Sequence, residues 1–266
     1  MNKITRKSIT ADFHKHMILN LSSEYLKPNS NHLILINQIL IQPIPQIGPT
    51  CGMVALMMAI QIYKAPPTLN QILEKGKELQ LSKNGEIFSI YNLKTLASFY
   101  LDCSLEIKDT QDGQSYDNNF INELMNNNLI IMPYDNDKDH RPCLKNGHKS
   151  HWALINGLVI ILHKDKINND FLLEYFIQDI QLCNVYFKKS EINLEIGDIL
   201  QTMDDLYVIA LHGKSKNNAI WNYKDFVKSN QNLIEIDHNQ RAKLNFETDL
   251  ILDLKQSLAN KYLLLK

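Results

Sequence analysis

The stretch Gln46-Ile47-Gly48-Pro49-Thr50-Cys51-Gly52-Met53-Val54-Ala55-Leu56-Met57-Met58-Ala59-Ile60 decides how the chain is read. The run leading into it, residues 42–50, holds Pro43, Pro45, Pro49 and Gly48. Fixed φ angles and missing N–H donors keep helix out of this run, so it is a shaped loop. From Cys51 to Tyr63 the chain is apolar on nearly every side and rich in Ala, Leu and Met. That pattern predicts a buried helix, with Thr50 as its N-cap and Pro66-Pro67 as its stop. Cys51 therefore opens a helix. The partial positive charge and unpaired N–H groups there lower a thiol's pKa and can hold an oxyanion on an attacked carbonyl. Gly52 lets a substrate backbone approach. Gln46, upstream in the loop, can fold back so that its amide N–H₂ completes the same oxyanion hole. The opposing reading, a core-filling thiol, is common for free cysteine, but such a cysteine needs no rigid loop before it.

Working outward, Leu33–Ile41 is a strand or docking segment. Thr68-Leu69-Asn70-Gln71 has the form of a capping box for a helix to about Leu79. Helical spacing recurs over Ser89–Leu101 and Asn118–Met125, with a short strand at Ser104–Ile107 between them. The second half changes character. Leu129–Tyr134, His151–Leu162, Leu206–Leu211 and Ala219–Tyr223 read as strands, with Asn156-Gly157 marking a hairpin or bulge. Asp170–Phe187 reads as an inserted helix or long excursion, and Leu250–Leu254 with Tyr262–Leu265 as a final strand pair. The pattern predicts an α+β protein: a partly ordered N-terminal segment, residues 1–32, then one domain over 33–266. In that domain a helical lobe (about 33–128) precedes a β-rich lobe (about 129–266). A cleft between such lobes suits a ligand.

Bulk properties bound the function. With 266 residues the chain can bury a sizeable core, and a formal net charge of −1 supplies no field to attract nucleic acid or an anionic membrane. No apolar run reaches the length of a membrane span, and no apolar segment follows the basic residues 1–7 as in a secretory signal. Cys51, Cys103, Cys143 and Cys183 are widely spaced, unlike a secreted disulfide framework. The expectation is a cytoplasmic protein with reduced thiols. Cys103 and Cys183, among apolar neighbours, fill core, as does the cluster of Met53, Met57 and Met58.

The second chemical feature is the segment from His140 to Leu154. Asn146-Gly147 makes a tight turn, and His151 then opens an apolar strand backed by Trp152 and Ala153. A histidine so held can serve as general base to a cysteine brought near in space, and a base far downstream of the nucleophile matches papain-like order. Two rival readings stand beside this one. His140, Cys143, His148 and His151 could ligate zinc, although their spacing is no standard finger; or the segment is a polar loop with incidental histidines. A third group should orient the imidazole. His212, at a strand end beside His151, and Asn222 are both candidates, and the sequence does not separate them.

Several segments together resemble one family. Gln46–Gly52, Pro133-Tyr134-Asp135, Asn146–Ala153 and His212-Gly213-Lys214-Ser215-Lys216 are similar, in order, to the actin maturation proteases, as are Trp221 and Ser229-Asn230-Gln231-Asn232-Leu233. The resemblance implies a papain-like cysteine peptidase fold related to the C39-type peptidases, with the nucleophile helix packed on an antiparallel β-rich lobe. It implies an aminopeptidase that removes the acetylated N-terminal residue from immature actin, with actin as the protein partner and no metal or organic cofactor. Carried onto this chain, Cys51 is the nucleophile, His151 the base, Gln46 the oxyanion donor and His212 a candidate third member. A thiolate–imidazolium pair then attacks, and water resolves the thioester. Two departures qualify the likeness: no proline-rich tract precedes residue 42, and Gln is frequent in the family at the position of His212. The same Cys–His chemistry also serves an acyltransferase, and a non-catalytic binding module is the remaining alternative. Lys145, Lys149, Lys214 and Lys216 fall on the turns flanking the base. They form either a solvated surface or a basic rim that attracts an acidic substrate.

Overall fold

A short apolar stretch, His32–Gln38, forms the first strand, β1. In the computed structural model, which describes residues 21, 25, 27, 30–189, 194, 197–236 and 253–266, three helices follow: α1 (Cys51–Ile60), α2 (Leu69–Glu78) and α3 (Ile90–Tyr100). The predicted capping box forms, Thr68 and Gln71 satisfying each other's backbone N–H groups at the start of α2. Then come β2 (Leu105–Asp109), α4 (Asn118–Met125), β3 (Leu129–Asp135) and β4 (Ser150–His163). The predicted excursion folds as α5 (Asn169–Tyr175) and two strands, β5 (Phe176–Gln178) and β6 (Val185–Lys188). The short helix α6 (Gly197–Leu200), β7 (Met203–Leu211), β8 (Ala219–Asn222), α7 (Tyr223–Gln231), α8 (Leu254–Ser257) and β9 (Lys261–Leu265) complete the described order.

Among the described residues the strands form one sheet, in the order β2-β9-β3-β4-β1-β6-β5, with β7 on the other side of β4 and β8 outside β7. Pairing is antiparallel except between β1 and β6, which run parallel. The long strand β4 is the spine. Its start pairs with β3, Tyr134 opposite His151, and its later part pairs with β1 and β7. Asn156-Gly157 is a bulge within this continuous strand, where the register to β7 shifts. A Cβ on Gly157 would lie 2.2 Å from the Asn37 carbonyl oxygen, so only glycine lets β1 approach there.

Alternation along β3 and β4 sends side chains to opposite faces. Trp152, Leu154 and Ile131 join the core formed with α1, α2 and α3, whereas Ala153, Ile155, Met132 and Tyr134 join a second core under α4 and α7. The mixed α+β reading therefore holds, with helices on both faces. β1 and β2, from the N-terminal half, take places in the same sheet as the later strands.

Four expectations need correction. Cys183, read as core, is exposed. Thr50 is buried, and its Oγ1 donates to the Ile47 carbonyl (2.8 Å), so it closes the loop and leaves α1 without a side-chain cap. α1 stops at Ile60, before the prolines. The expected final strand pair is absent: β9 pairs with β2 and β3, and Leu254 begins α8. Residues 250–252 of that expected pair, and most of segment 1–32, lie outside the described residues.

Candidate active site

α1 reaches its position because its first turn can touch the sheet. Gly52 faces Trp152, where an added Cβ would lie 3.1 Å from Cδ1 of the indole and 3.3 Å from Ile87 Cβ. The indole Nε1–H donates to the Ile87 carbonyl (2.9 Å), fixing that ring as a floor. Every residue of α1 after Cys51 is buried, while Cys51 itself is half-buried. The backbone N–H groups of Trp152, Gly52 and Cys51 lie near its sulfur and favour the thiolate. Burial nonetheless pushes the thiol above its usual range, outweighing those N–H groups and the charge of Lys214.

The Trp152 amide that faces the sulfur directly follows His151 in the chain. His151 is 5% exposed. Its Nε2 lies 2.8 Å from the carbonyl oxygen of His212. A carbonyl can only accept, so Nε2 carries the hydrogen and Nδ1 is left as the basic nitrogen of the neutral ring. What His151 Nε2 meets is thus the main chain of residue 212. Asn222, the other candidate, is committed elsewhere: its Oδ1 caps α7 through the N–H groups of Lys224 and Asp225, and its Nδ2 donates to Asp205 (3.0 Å).

The imidazole sits in an aromatic cage. Tyr134 meets it edge-on at 5.7 Å between centroids, and the rings of His140 and His212 each lie at 6.3 Å. Trp221 stacks on His212 at 5.7 Å. The cage excludes water, and burial pushes His151 down to about 3. The His212 carbonyl opposes that shift, and the charges of His212, Lys214 and His140 add to it. His212 is pushed down to about 4, first by burial and then by His140. Burial thus opposes charge on both the Cys51 thiol and the His151 imidazole.

Gln46 reaches the same place from the loop. Its backbone N–H donates to the Gly213 carbonyl (2.8 Å), one residue beyond the carbonyl that holds His151. Its side-chain Nε2 donates to Gly48 O (2.9 Å), and its Oε1 is buried without a partner. The amide is therefore turned onto its own loop. Gly213 adopts φ +70°, and a Cβ there would sit 3.3 Å from Val54 Cγ1 and 3.4 Å from Gln46 Cβ. This left-handed residue joins the Gln46 loop, α1 and the end of β7 at one point.

The remaining quoted motifs prove to be supports. Ser229 Oγ bonds both backbone groups of Asp135, Asn230 Nδ2 donates to Pro133 O (2.9 Å), and Asn232 Nδ2 donates to the Asp135 carboxylate. That carboxylate also accepts the Lys145 N–H. α7 thereby clamps the end of β3 that carries Tyr134, whose hydroxyl donates to the His140 carbonyl (3.1 Å). Asn146 and Gly147 make the expected turn, both with positive φ, and the Asn146 carbonyl accepts the N–H groups of Ile234 and Glu235. The four proposed zinc ligands do not form one set. His148 faces Glu235 (2.9 Å), and Cys143 lies against Asp135, with burial first and that carboxylate second pushing its thiol up to about 11. Among the described residues no group of three or more His, Cys, Asp or Glu side chains is arranged to hold a metal. The structural parts of Tyr134, Gly213 and Ser229–Asn232 were missed as roles in the sequence. Their signal was present only as shared motif segments.

A family model described as actin maturation protease-like, C-terminal domain, matches residues 41–159. That span includes Gln46, Cys51 and His151 and stops short of His212. The chain is 33% identical over 203 residues to the actin maturation protease of Danio rerio, covering 74% of this chain and 62% of that protein. It is 28% identical over 226 residues to that of Drosophila melanogaster, covering 83% and 64%. To that of Xenopus tropicalis it is 30% identical over 229 residues, covering 84% and 70%. The chain thus spans less than two thirds of the first two of these relatives. No solved structure matches it.

Proposed function

From the actin maturation protease family, to which this chain belongs, we propose that it is a papain-like cysteine aminopeptidase, with residues 33–266 as one peptidase domain. Its proposed substrate is the acetylated N-terminus of immature actin, from which it removes the first residue. No helix among the described residues is long and apolar enough to cross a membrane, and all four cysteines are free, in keeping with work on a protein substrate in a reducing compartment.

The observation that carries the reading is the junction at Cys51. The thiol opens a buried helix against the Trp152 amide, and the neighbouring His151 has its tautomer set by the His212 carbonyl. His151 Nδ1 takes the thiol proton, and Sγ attacks the carbonyl carbon of the acetylated residue. The oxyanion falls to the Cys51 N–H and to the Gln46 amide, which must first release Gly48 O. The imidazolium, held by the His212 carbonyl at Nε2, gives its proton to the departing amine. The thioester remains on Cys51, and water, deprotonated by His151, releases the acetylated amino acid.

The test is to incubate the chain with an acetylated actin N-terminal peptide and follow mass loss of the first residue. Wild-type protein is expected to convert the peptide and Cys51→Ala is not. An unchanged mass with wild-type protein on peptides of every actin isoform overturns the proposal.

A further inference from the structure

His140 has an unusual backbone. Its φ is +66°, a left-handed conformation that residues other than glycine rarely take and that persists only where the surroundings enforce it. What enforces it is a small turn between β3 and β4. Asn136 bridges to Pro142, the Asp137 N–H donates to the Arg141 carbonyl (3.0 Å), and the His140 N–H donates to the Asp137 carbonyl (3.2 Å). These bonds close the turn on itself. The Tyr134 hydroxyl, donating to the His140 carbonyl (3.1 Å), ties its tip to the sheet.

The tethered turn makes a roof over the base. The His140 ring faces that of His151 at 6.3 Å between centroids and 26° from parallel. Tyr134 is a firm anchor for it: fully buried, its ring meets Trp221 (4.9 Å) and Phe226 (5.7 Å) as well as His151 (5.7 Å). Its phenol is pushed well above the usual range, first by burial and then by Cys51, Cys143 and Asp139, so the hydroxyl keeps its proton and donates. Proton transfer from Cys51 to His151 does not involve this hydroxyl, and a phenylalanine ring would fill the same aromatic core. The oxygen instead bonds to the residue that covers the base.

We propose that the Tyr134 hydroxyl is a positioning group for the base, acting through His140: it holds the left-handed turn whose imidazole keeps water from the His151 ring. The proposal deepens the hydrolase reading and rests on it. The groups that bear on His151 are Tyr134 from β3, His140 from the turn, and His212 and Lys214 from the end of β7, with the Cys51 thiol of α1 beside Tyr134. Lys214, Asp139 and Lys149 bear in turn on His140. Lifting the roof weakens both the burial of His151 and the opposing charge of His140. The two act in the same direction, so the base becomes easier to protonate.

The test is a cycle of Tyr134→Phe, His140→Gly and the two combined, read by the His151 ring ¹⁵N signals and by kcat/KM on the acetylated peptide. At about pH 5 wild-type His151 should be neutral, since burial holds it so down to about 3. Each single variant should be partly protonated there, its midpoint raised by about one to two pH units. With the ring held less firmly, kcat/KM at neutral pH should fall about 3- to 10-fold. The double variant should shift no further than His140→Gly, because the hydroxyl acts through that ring. A Tyr134→Phe protein that melts lower with an unmoved His151 midpoint overturns the proposal, as does a double variant whose shifts add. The ring signals need no turnover: if wild-type protein leaves the peptide uncleaved, the hydrolase reading fails, and the midpoints still decide the roof. If Tyr134→Phe does not fold, His140→Gly decides, because glycine takes the left-handed turn freely, and an unmoved midpoint in that variant overturns the roof.

Discussion

Replacing Gly213 with alanine should strike stability and catalysis through one residue. At φ +70° an L-residue is strained by about 1–2 kcal/mol. The new Cβ adds contacts at 3.3 Å to Val54 Cγ1, 3.4 Å to Gln46 Cβ and 3.5 Å to Gln46 Oε1, tight enough to make the turn give rather than to expel it. For a chain of this size the melting temperature should drop by about 3–6 °C. If the turn relaxes out of the left-handed region, the carbonyls of His212 and Gly213 rotate with it. These hold His151 Nε2 and the Gln46 N–H, each at 2.8 Å. A hydrogen bond to the imidazolium formed during turnover is worth about 1.5–3 kcal/mol, so kcat should fall about 10- to 100-fold. Gly197→Ala is the control, since a Cβ there meets nothing within 4 Å and its φ is not in the strained range. Calorimetry, steady-state kinetics and the His151 ring ¹⁵N spectrum read the three effects separately. A Gly213→Ala protein that melts lower yet keeps wild-type kcat and an unaltered Nε2–H tautomer would falsify the claim that this turn orients the base.

Four further outcomes follow from the same geometry. Activity should show no acidic limb near pH 6.5, because His151 must be neutral to act and burial holds it so down to about pH 3; a kcat/KM profile with a midpoint between 6 and 7 contradicts the buried cage. Stability should fall as pH drops from about 6.5 towards 4. In that window unfolded histidines bind protons that native His151 and His212 refuse, so the unfolded state gains by up to about 2.7 kcal/mol per pH unit for two groups; pH-resolved denaturant melts measure the slope, and a flat response sinks it. Asn230→Ala strips the buried donor from Pro133 O and, at longer range, from Lys261 O (3.2 Å) and Leu258 O (3.4 Å), and should destabilise by about 2–4 kcal/mol in urea; a loss under 0.5 kcal/mol would mean that the clamp is dispensable. Trp152→Phe loses the bond to Ile87 O (2.9 Å) under the helix start and should cost about 1–2 kcal/mol, with the melting temperature as readout.

What could be read from the sequence was whatever depends on near neighbours. The proline-rich loop, the buried helix at Cys51, the capping box at Thr68 and the apolar strand at His151 are encoded in residues a few positions apart. The small strands β5 and β6 were hidden because Phe176–Gln178 and Val185–Lys188 are too short to show alternation, and β6 exists by pairing with β1. Leu254 looked like strand because its helix is only four residues long. At the site, residue types pointed to Cys51 and His151. The partner of the His151 ring could not be found in that way, because it is a main-chain carbonyl and any residue type could supply it. His212 was singled out for its side chain, and its carbonyl is what the structure brings to His151. The alternative, Asn222, has the right chemistry and spends it on capping α7. The burial that opposes charge on Cys51 and His151 was likewise not legible from the helix terminus alone, because it depends on how distant segments pack across the sheet.

The central claim is that Cys51 attacks the substrate carbonyl with His151 as its base. It is tested most directly by quenching a turnover of the acetylated peptide in acid and mapping the adduct by mass. The account predicts the acetylated first residue as a thioester on Cys51 alone, with no adduct and no product in Cys51→Ala. Product formation by Cys51→Ala, or an adduct that maps to Cys103, Cys143 or Cys183, would contradict it.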